Sequence, residues 1–254
     1  MIKLVIPISK LFNNPETVKK ISVLCDCFEC RHDSVDISTG QQDIFHSEIQ
    51  LVHPLRNDEI LFLKKISEKK NLKLISFHAA TNCDNPVLKS GMFYSGGRDY
   101  SYLQLLDNAK RNIRLIRAIF GLDVLIAVEN NNYYPTEAYR YVAEPDFLSR
   151  LVRENGIWFV YDIAHGMITA YNKRIDYSQY RSRLPMGRLV QIHLSGWGLK
   201  RKALAFDKHS VPTNREMLEF MDLLQFLSVK YVTVEYYRNV QRLLKIMGRI
   251  REII

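Results

Sequence analysis

The sequence predicts an α/β fold, a TIM (β/α)8-type barrel, on three observations. Its 254 residues match the usual length of such a domain. Short apolar runs alternate with longer amphipathic segments, as β/α units on a parallel sheet require. Strand after strand then ends in an imidazole or a carboxylate. In a parallel barrel all strand C-termini open onto one face, so these residues would converge there.

The strands read from the apolar runs are 3–6, 24–29, 73–77, 124–128, 158–161, 189–192 and 231–234. The helices read from amphipathic periodicity are 15–23, 58–69, 100–120, 145–154, 215–227 and 240–251. Pro15 and Pro145 fall in first helical turns, where a missing N–H costs little. Gly121 stands where a helix C-terminal glycine belongs, just before a strand. Seven strands are clear and a closed barrel needs eight. Either 49–52 supplies the last one or the barrel is irregular. The stretch 79–99, rich in Asn, Gly and Ser, reads as a long loop at the catalytic end, where such length is more often functional than idle. With no internal repeat and no low-complexity linker, residues 1–254 read as a single barrel domain.

A hydrophobic share of 47% against 25% charged residues is enough to bury a core and excludes a disordered chain. No apolar run approaches the ~20 residues that span a bilayer. The opening MIKLVIPISKLF is too short in its apolar part for a signal peptide and lacks a small-residue cleavage site. The expectation is a cytoplasmic protein with no membrane partner. In that setting Cys25, Cys27, Cys30 and Cys83 are not a disulfide framework. C-x-C-x-x-C without a second Cys/His pair reads as small apolar residues in or beside a buried strand. The formal net charge of +9 is spread along the chain, with modest concentrations at 181–188, 200–202 and 238–251. Solvated helix faces account for most of it, and a basic rim receiving an acidic ligand is the functional alternative.

The residues that carry chemistry stand at the strand ends. His78 comes directly after 73–77 in LISFHAAT, and Glu129 after 124–128 in LIAVENNNYYP. Asp162 and His165 come after 158–161 in FVYDIAHG, and His193 after 189–192 in VQIHLSGWG. A loop beyond holds Asp207 and His209, and Glu235 ends the last strand in VTVEYY. Four His, two Asp and two Glu with no thiolate suit divalent iron, manganese or zinc. Eight donors exceed what one ion uses, which points to a cluster with bridging carboxylates. Taken singly each residue has an ordinary explanation: a hydrogen-bonded core His, a solvated Glu, or Asp162 as a helix cap. Repetition over at least five strands decides for metal. His32 and His53 are outside candidates, and His46 has no evident context.

The segments VENNNYYPT at 128–136, EPDFL at 144–148, YDIAHG at 161–166, QIHLSG at 191–196, DKH at 207–209 and VEYY at 234–237 carry a resemblance. They are similar to the xylose-isomerase-like barrel superfamily, which includes endonuclease-IV-type repair enzymes and sugar isomerases. Within it the chain more closely resembles the multinuclear non-heme iron-dependent oxidative enzymes of methanobactin-type biosynthesis. That resemblance implies two or three iron ions, with zinc or manganese as the alternatives. Glu129 would bridge two ions, Asp162, His193 and Glu235 would complete one, and His78 would support the second. His165, Asp207 and His209 would hold a third. Glu129 and Asp162 are then the catalytic candidates. Asn131 and Tyr133, with Asn130 and Tyr134 beside them, would shape the substrate pocket. Members use mixed-valent iron and dioxygen to remodel a cysteine in a ribosomally made peptide. Family members carry two histidines on successive strands before the Glu strand. Here only His78 is clear, and His53 is the other if 49–52 is a strand.

The first reading is therefore a multinuclear metal-dependent oxidoreductase acting on a peptide cysteine or another thiol, in which a separate peptide-recognition protein would present the peptide. The second keeps the metals and assigns phosphoester hydrolysis of the endonuclease-IV type. It leaves nucleic acid open as a partner, although no basic loop interleaved with aromatics is present to enter a duplex. Sugar isomerisation is the third, and it lacks an evident catalytic lysine motif. A barrel that binds metal or a partner without turnover is the fourth, and a full ligand set speaks against it.

Overall fold

The computed structural model describes residues 1–200, 204–226 and 228–254. Arg201 and Lys202 of the basic stretch and Leu227 at the end of the 215–227 helix lie outside them.

Eight parallel strands close a barrel. They are β1 (Lys3–Pro7), β2 (Cys27–Cys30), β3 (Ile44–Gln50), β4 (Leu74–His78), β7 (Leu125–Glu129), β8 (Trp158–Asp162), β9 (Leu189–Leu194) and β12 (Tyr231–Val234), and β12 pairs back onto β1. Around them run α1 (Pro15–Leu24), α2 (Asn57–Lys69), α3 (Tyr102–Phe120), α4 (Pro145–Asn155), α5 (Ile163–Lys173), α6 (Tyr177–Ser182), α7 (Asn214–Leu223) and α8 (Val240–Arg251). Two antiparallel hairpins sit in loops after the strands: β5 (Val87–Lys89) with β6 (Met92–Tyr94), and β10 (Gly196–Leu199) with β11 (Ala205–Ser210). Among the described residues no helix is long and apolar enough to cross a membrane.

Side chains alternate across each strand, so every strand serves two cores. The outer faces, such as Phe28, Phe45, Phe77, Val128, Phe159 and Val232, join the large cluster beneath the helices. The inner faces contribute one residue per strand to a separate cluster of Val5, Cys27, Ile44, Leu74, Ala127, Val160, Val190 and Tyr231. This apolar plug floors the barrel. On four of the strands the inward position two residues further along is ionisable: Glu29 above Cys27, His46 above Ile44, Glu129 above Ala127 and Asp162 above Val160.

The eighth strand is where the structure departs from the expectation of 49–52. It runs Ile44–Gln50, and its register with β4 jumps from Ser47 opposite Phe77 to Gln50 opposite His78. The two extra residues break the period-two pattern, which displaces the apparent strand toward the apolar 49–52. Leu51 and Val52 are buried beyond the strand instead, where Asn112 and Asn108 of α3 donate to their carbonyls at 2.8 and 3.1 Å. The supposed loop 79–99 contains the β5–β6 hairpin, turned at Ser90 and Gly91, both with positive φ as a two-residue hairpin turn needs. The 205–210 loop is likewise a strand. Helices α5 and α6 come after β8 where none was expected, because Gly166 and Thr169 dilute the apolar stripe. The cysteines behave as expected: all four are free, and Cys27 and Cys30 are buried in β2.

Helix α5 packs so closely on β8 that a Cβ at Gly166 would lie 2.3 Å from the hydroxyl oxygen of buried Tyr161. That hydroxyl is fixed at 2.8 Å from the Tyr177 hydroxyl and has little room to retreat. Gly166→Ala is expected to destabilise the fold by about 1–3 kcal/mol, the usual cost of overpacking. Urea unfolding checks it, and an unchanged midpoint would show that Tyr161 can move.

Candidate metal centre

The barrel mouth gathers nine donor residues into one connected cluster. Glu129, at the end of β7, is its centre. Its Oε2 lies 3.2 Å from His78 Nδ1 on β4 and 3.3 Å from His46 Nε2 on β3. Its Oε1 lies 2.9 Å from His193 Nδ1 on β9 and 3.7 Å from His165 Nδ1 on α5. From His165 the chain of contacts continues to Asp207 at 3.6 Å, from Asp207 to His209 at 3.0 Å, and from His209 to Glu235 at 3.4 Å. Glu235 Oε1 closes the circuit 3.7 Å from His193 Nδ1. Asp162 stands in the same group as Glu129 and His165. All eight residues singled out from the sequence thus lie around one mouth.

His46 joins them and sequence reasoning missed it. Its Nε2 is 2.9 Å from His78 Nε2, and its Nδ1 is held by Ser76 Oγ at 2.7 Å. The signal was an inward position two residues after Ile44, obscured by the bulge beyond it. His53, the alternative, turns away: its Nε2 contacts the Thr81 carbonyl at 2.8 Å and its ring packs by Tyr100. His32 is also outside the cluster, stacked on Phe62 with Nε2 3.1 Å from Ser47 Oγ. Glu29 was missed although it stands near a strand end as Glu129 and Glu235 do. It is fully buried beside His193, and the same strand-end rule would have found it.

Local structure aims these side chains. Asp162 Oδ1 accepts the His165 backbone N–H at 2.6 Å, so it caps α5 while its other oxygen faces the mouth. Asn130 braces β7 to β8: its amide donates to the Asp162 carbonyl at 2.9 Å and accepts the Asp162 N–H at 2.8 Å. The Asn130 carbonyl also receives His165 Nδ1 at 3.0 Å, which fixes that ring with Nε2 free. Asn131 is buried, donating to the Ala80 carbonyl at 3.0 Å. Tyr133 is half-buried under the Lys173 ammonium and Tyr134 is buried beside it.

The electrostatics of the cluster are those of a site built for cations. Glu29, Glu129, Asp162 and Glu235 are all essentially inaccessible to solvent, and among the described residues Arg31 is the guanidinium that pairs with any of them. Burial pushes Asp162 up to about 7, with Glu235 and Glu129 adding to the rise. Burial would likewise raise Glu129, but His193 and His46 outweigh it and hold that carboxyl well below its usual range. Burial drives His78 down to about 3, helped by His46. For His165 burial opposes the charge, yet Asp162, Asp207 and Glu129 lift it well above an ordinary imidazole. Arg31 and the imidazoles hold Glu29, Glu129 and Glu235 low, whereas His165 does not offset the burial of Asp162, which rises. Beside Glu29 Oε2 at 3.3 Å, His193 Nε2 makes no hydrogen bond, and Glu129 Oε2 and Asp162 Oδ2 are buried with no hydrogen-bond partner. Orphaned buried acceptors of this kind are what metal ligands look like without their ion.

Three groups of donors lie close enough to share an ion: His46, His78 and Glu129; Glu129, Asp162 and His165; and Glu29, His193 and Glu235. Among the described residues none of these groups includes a cysteine. The donor set of imidazole and carboxylate therefore fits several divalent ions, with Glu129 common to two groups.

Known proteins share the fold, and others share part of the sequence. The 3-keto-D-glucoside 4-epimerase YcjR of E. coli matches with a TM-score of 0.62 at 13% identity, over 99% of this chain and all of that one. A putative xylose isomerase of Rhodospirillum rubrum matches with a TM-score of 0.61 at 10% identity, over 100% and 98% of the two chains. At such identities the likeness is one of fold, a xylose-isomerase-like barrel. A UPF0276 protein of Caulobacter vibrioides is 32% identical over 101 residues, which is 40% of this chain and 35% of that protein. One from Acaryochloris marina is 26% identical over 160 residues, 63% of this chain and 55% of that protein. The chain therefore spans about a third to a half of the length of these relatives. The family described as RiPP precursor modification enzyme MbnB/TglH/ChrH matches residues 52–254, which hold β4 and every later strand of the barrel. By that match, this chain belongs to the MbnB/TglH/ChrH family of RiPP precursor modification enzymes.

Proposed function

We propose that this protein is a multinuclear iron- and dioxygen-dependent oxidative enzyme that modifies a cysteine of a peptide, or another thiol substrate. The observation that carries the reading is the junction at Glu129, where one buried carboxylate is shared between neighbouring groups of donors. His46, His78 and Glu129 would hold one ion. Asp162, His193 and Glu235 would hold a second with Glu129 as the bridge, and His165, Asp207 and His209 a third. Iron bound there supplies one-electron chemistry with dioxygen as the oxidant.

The chain's own residues do the rest. Floored by the apolar plug, the mouth is closed from below and admits substrate from the strand C-termini alone. Asp162 and Glu129 are the carboxylates within reach of reacting atoms, and Asn130 keeps Asp162 aimed by pinning its backbone on both sides. Tyr133, half-buried at the rim, and Asn131 behind it would shape the approach of the substrate. The basic side chains near that rim, Lys173 over Tyr133 and Lys200 over Phe206, favour an acidic peptide. A separate protein would present the peptide. Four free cysteines fit a cytoplasmic location.

Metal analysis of the chain, purified anaerobically from iron-replete cells, tests the reading. The expected result is two or three equivalents of iron, with visible absorption developing in air. Zinc or manganese instead would favour hydrolysis or isomerisation on the same scaffold. Without stoichiometric metal of any kind the reading fails.

A further inference from the structure

Glu29 and Arg31 sit beside the proposed ligands without belonging to the set. Glu29 lies near the end of β2 and is fully buried. Its Oε1 accepts from Arg31 Nε at 3.0 Å and Nη2 at 2.7 Å. Its Oε2 accepts from Gln191 Nε2 at 2.8 Å and Thr233 Oγ1 at 3.2 Å, and lies 3.3 Å from His193 Nε2. Donors therefore ring this carboxylate. Glu129 Oε2 and Asp162 Oδ2 show the opposite pattern, with no hydrogen-bond partner. By proximity alone Glu29 could be counted a ligand together with His193 and Glu235. Its surroundings make it a hydrogen-bond hub, since an ion there would have to displace those donors.

The imidazoles divide in the same way. His46 and His165 have Nδ1 engaged, by Ser76 Oγ and the Asn130 carbonyl, and so offer Nε2. His193 is reversed: Nδ1 faces two proposed ligands, Glu129 Oε1 at 2.9 Å and Glu235 Oε1 at 3.7 Å, while Nε2 lies 3.3 Å from Glu29 Oε2 without a hydrogen bond until an ion draws on Nδ1. Arg31 Nη2 also bonds Glu235 Oε1, tying the hub to a second member of the cluster. The guanidinium thus offsets two buried carboxylates at once.

We infer that Glu29 is a positioning residue that fixes His193 as a metal ligand through Nδ1, with Nε2–H directed at Glu29 and Arg31 linking Glu29 to Glu235. The inference rests on the metal-centre reading above. A carboxylate behind a ligating imidazole sets its tautomer and orientation, and losing it typically costs about 10–100-fold in metal affinity. Glu29→Gln preserves volume but presents an NH₂ either to Arg31 or to Gln191 and His193, so neither amide orientation satisfies both sides.

The test is long-range ¹H–¹⁵N correlation on the zinc-loaded full chain with ¹⁵N-labelled histidine, joined to zinc affinity by competition with a chelator. Wild-type protein is expected to show His193, assigned by the loss of its signal in His193→Gln, as a zinc-bound imidazole protonated at Nε2, with His46 and His165 protonated at Nδ1. In Glu29→Gln the His193 Nε2–H signal should shift, with zinc affinity down about 10–100-fold and the zinc count unchanged. If every bound imidazole is protonated at Nδ1, the inference is wrong and the metal reading stands. Loss of a whole zinc equivalent in the variant would make Glu29 a ligand, which also overturns it. Failure of the wild-type chain to bind zinc at any histidine removes both readings together. The wild-type tautomer is decisive even if the variant does not fold.

Discussion

Glu129→Ala should empty most of the centre, taking bound metal from two or three equivalents to one or fewer. Most single-ligand changes weaken one ion, whereas this residue is shared. Its two oxygens lie 2.9–3.3 Å from nitrogens on three other strands: His46 on β3, His78 on β4 and His193 on β9. Two of the three close donor groups contain it, so the substitution takes a ligand from both at once. No other carboxylate is placed to take over on the β3–β4 side, because among the described residues Glu129 is the one that pairs with His46 and His78. A methyl in place of a buried carboxylate also removes a charge that is costly without a cation, so the fold itself should survive. Metal analysis of the anaerobically purified variant, with circular dichroism to confirm folding, measures the effect. A folded Glu129→Ala protein retaining its full metal content would mean that the ions sit elsewhere, and the reading of the mouth would fail with it.

The strands of the barrel are legible in the sequence because each is a short apolar run bounded by an amphipathic helix, and β/α alternation leaves few topologies. Seven of the eight are plain for that reason. The eighth is not, since residues 48–49 bulge out of β3 and shift the apolar signal past its true end. Helix α5 is hidden by its own function: close packing against β8 requires Gly166, and capping falls to Asp162, which the strand-end pattern already claims. The same pattern explains why most of the mouth is legible. A residue that ends a strand is marked by position, so His78, Glu129, Asp162, His193 and Glu235 stand out. Glu29 shares the mark, since the apolar run 24–29 ends on it, and the same rule applied to that run would have found it. His46 carries no such mark, being inward in the middle of β3, and only the closed barrel places it beside His78. Pairings such as Arg31 with Glu29 and Glu235 depend on side-chain reach across strands, which spacing along one chain does not encode.

His46 and His53 offer the sharpest separation between sequence expectation and structure, since they lie seven residues apart and only one faces the mouth. His46→Ala is expected to cost about one equivalent of metal and to leave the remainder bound. The ion between β3, β4 and β7 would keep only His78 and Glu129, while Asp162, His193 and Glu235 are untouched. Retention of the other ions is what distinguishes it from Glu129→Ala, where the shared carboxylate is gone. His53→Ala should keep the full metal content. Its cost falls on stability instead, because the Thr81 carbonyl loses its partner at 2.8 Å and Tyr100 loses a packed ring, together about 1–3 kcal/mol. Metal content and urea midpoint measured on both variants give a crossed pattern: metal lost with His46, stability lost with His53. The reverse would place the second histidine after the bulge, as the apolar run 49–52 implies, and β3 would then have to run in a different register. Because a slip of one residue turns every side chain of a strand to the opposite face, no intermediate arrangement produces the crossed pattern. The pair therefore tests the register of β3 and the composition of the centre in one comparison.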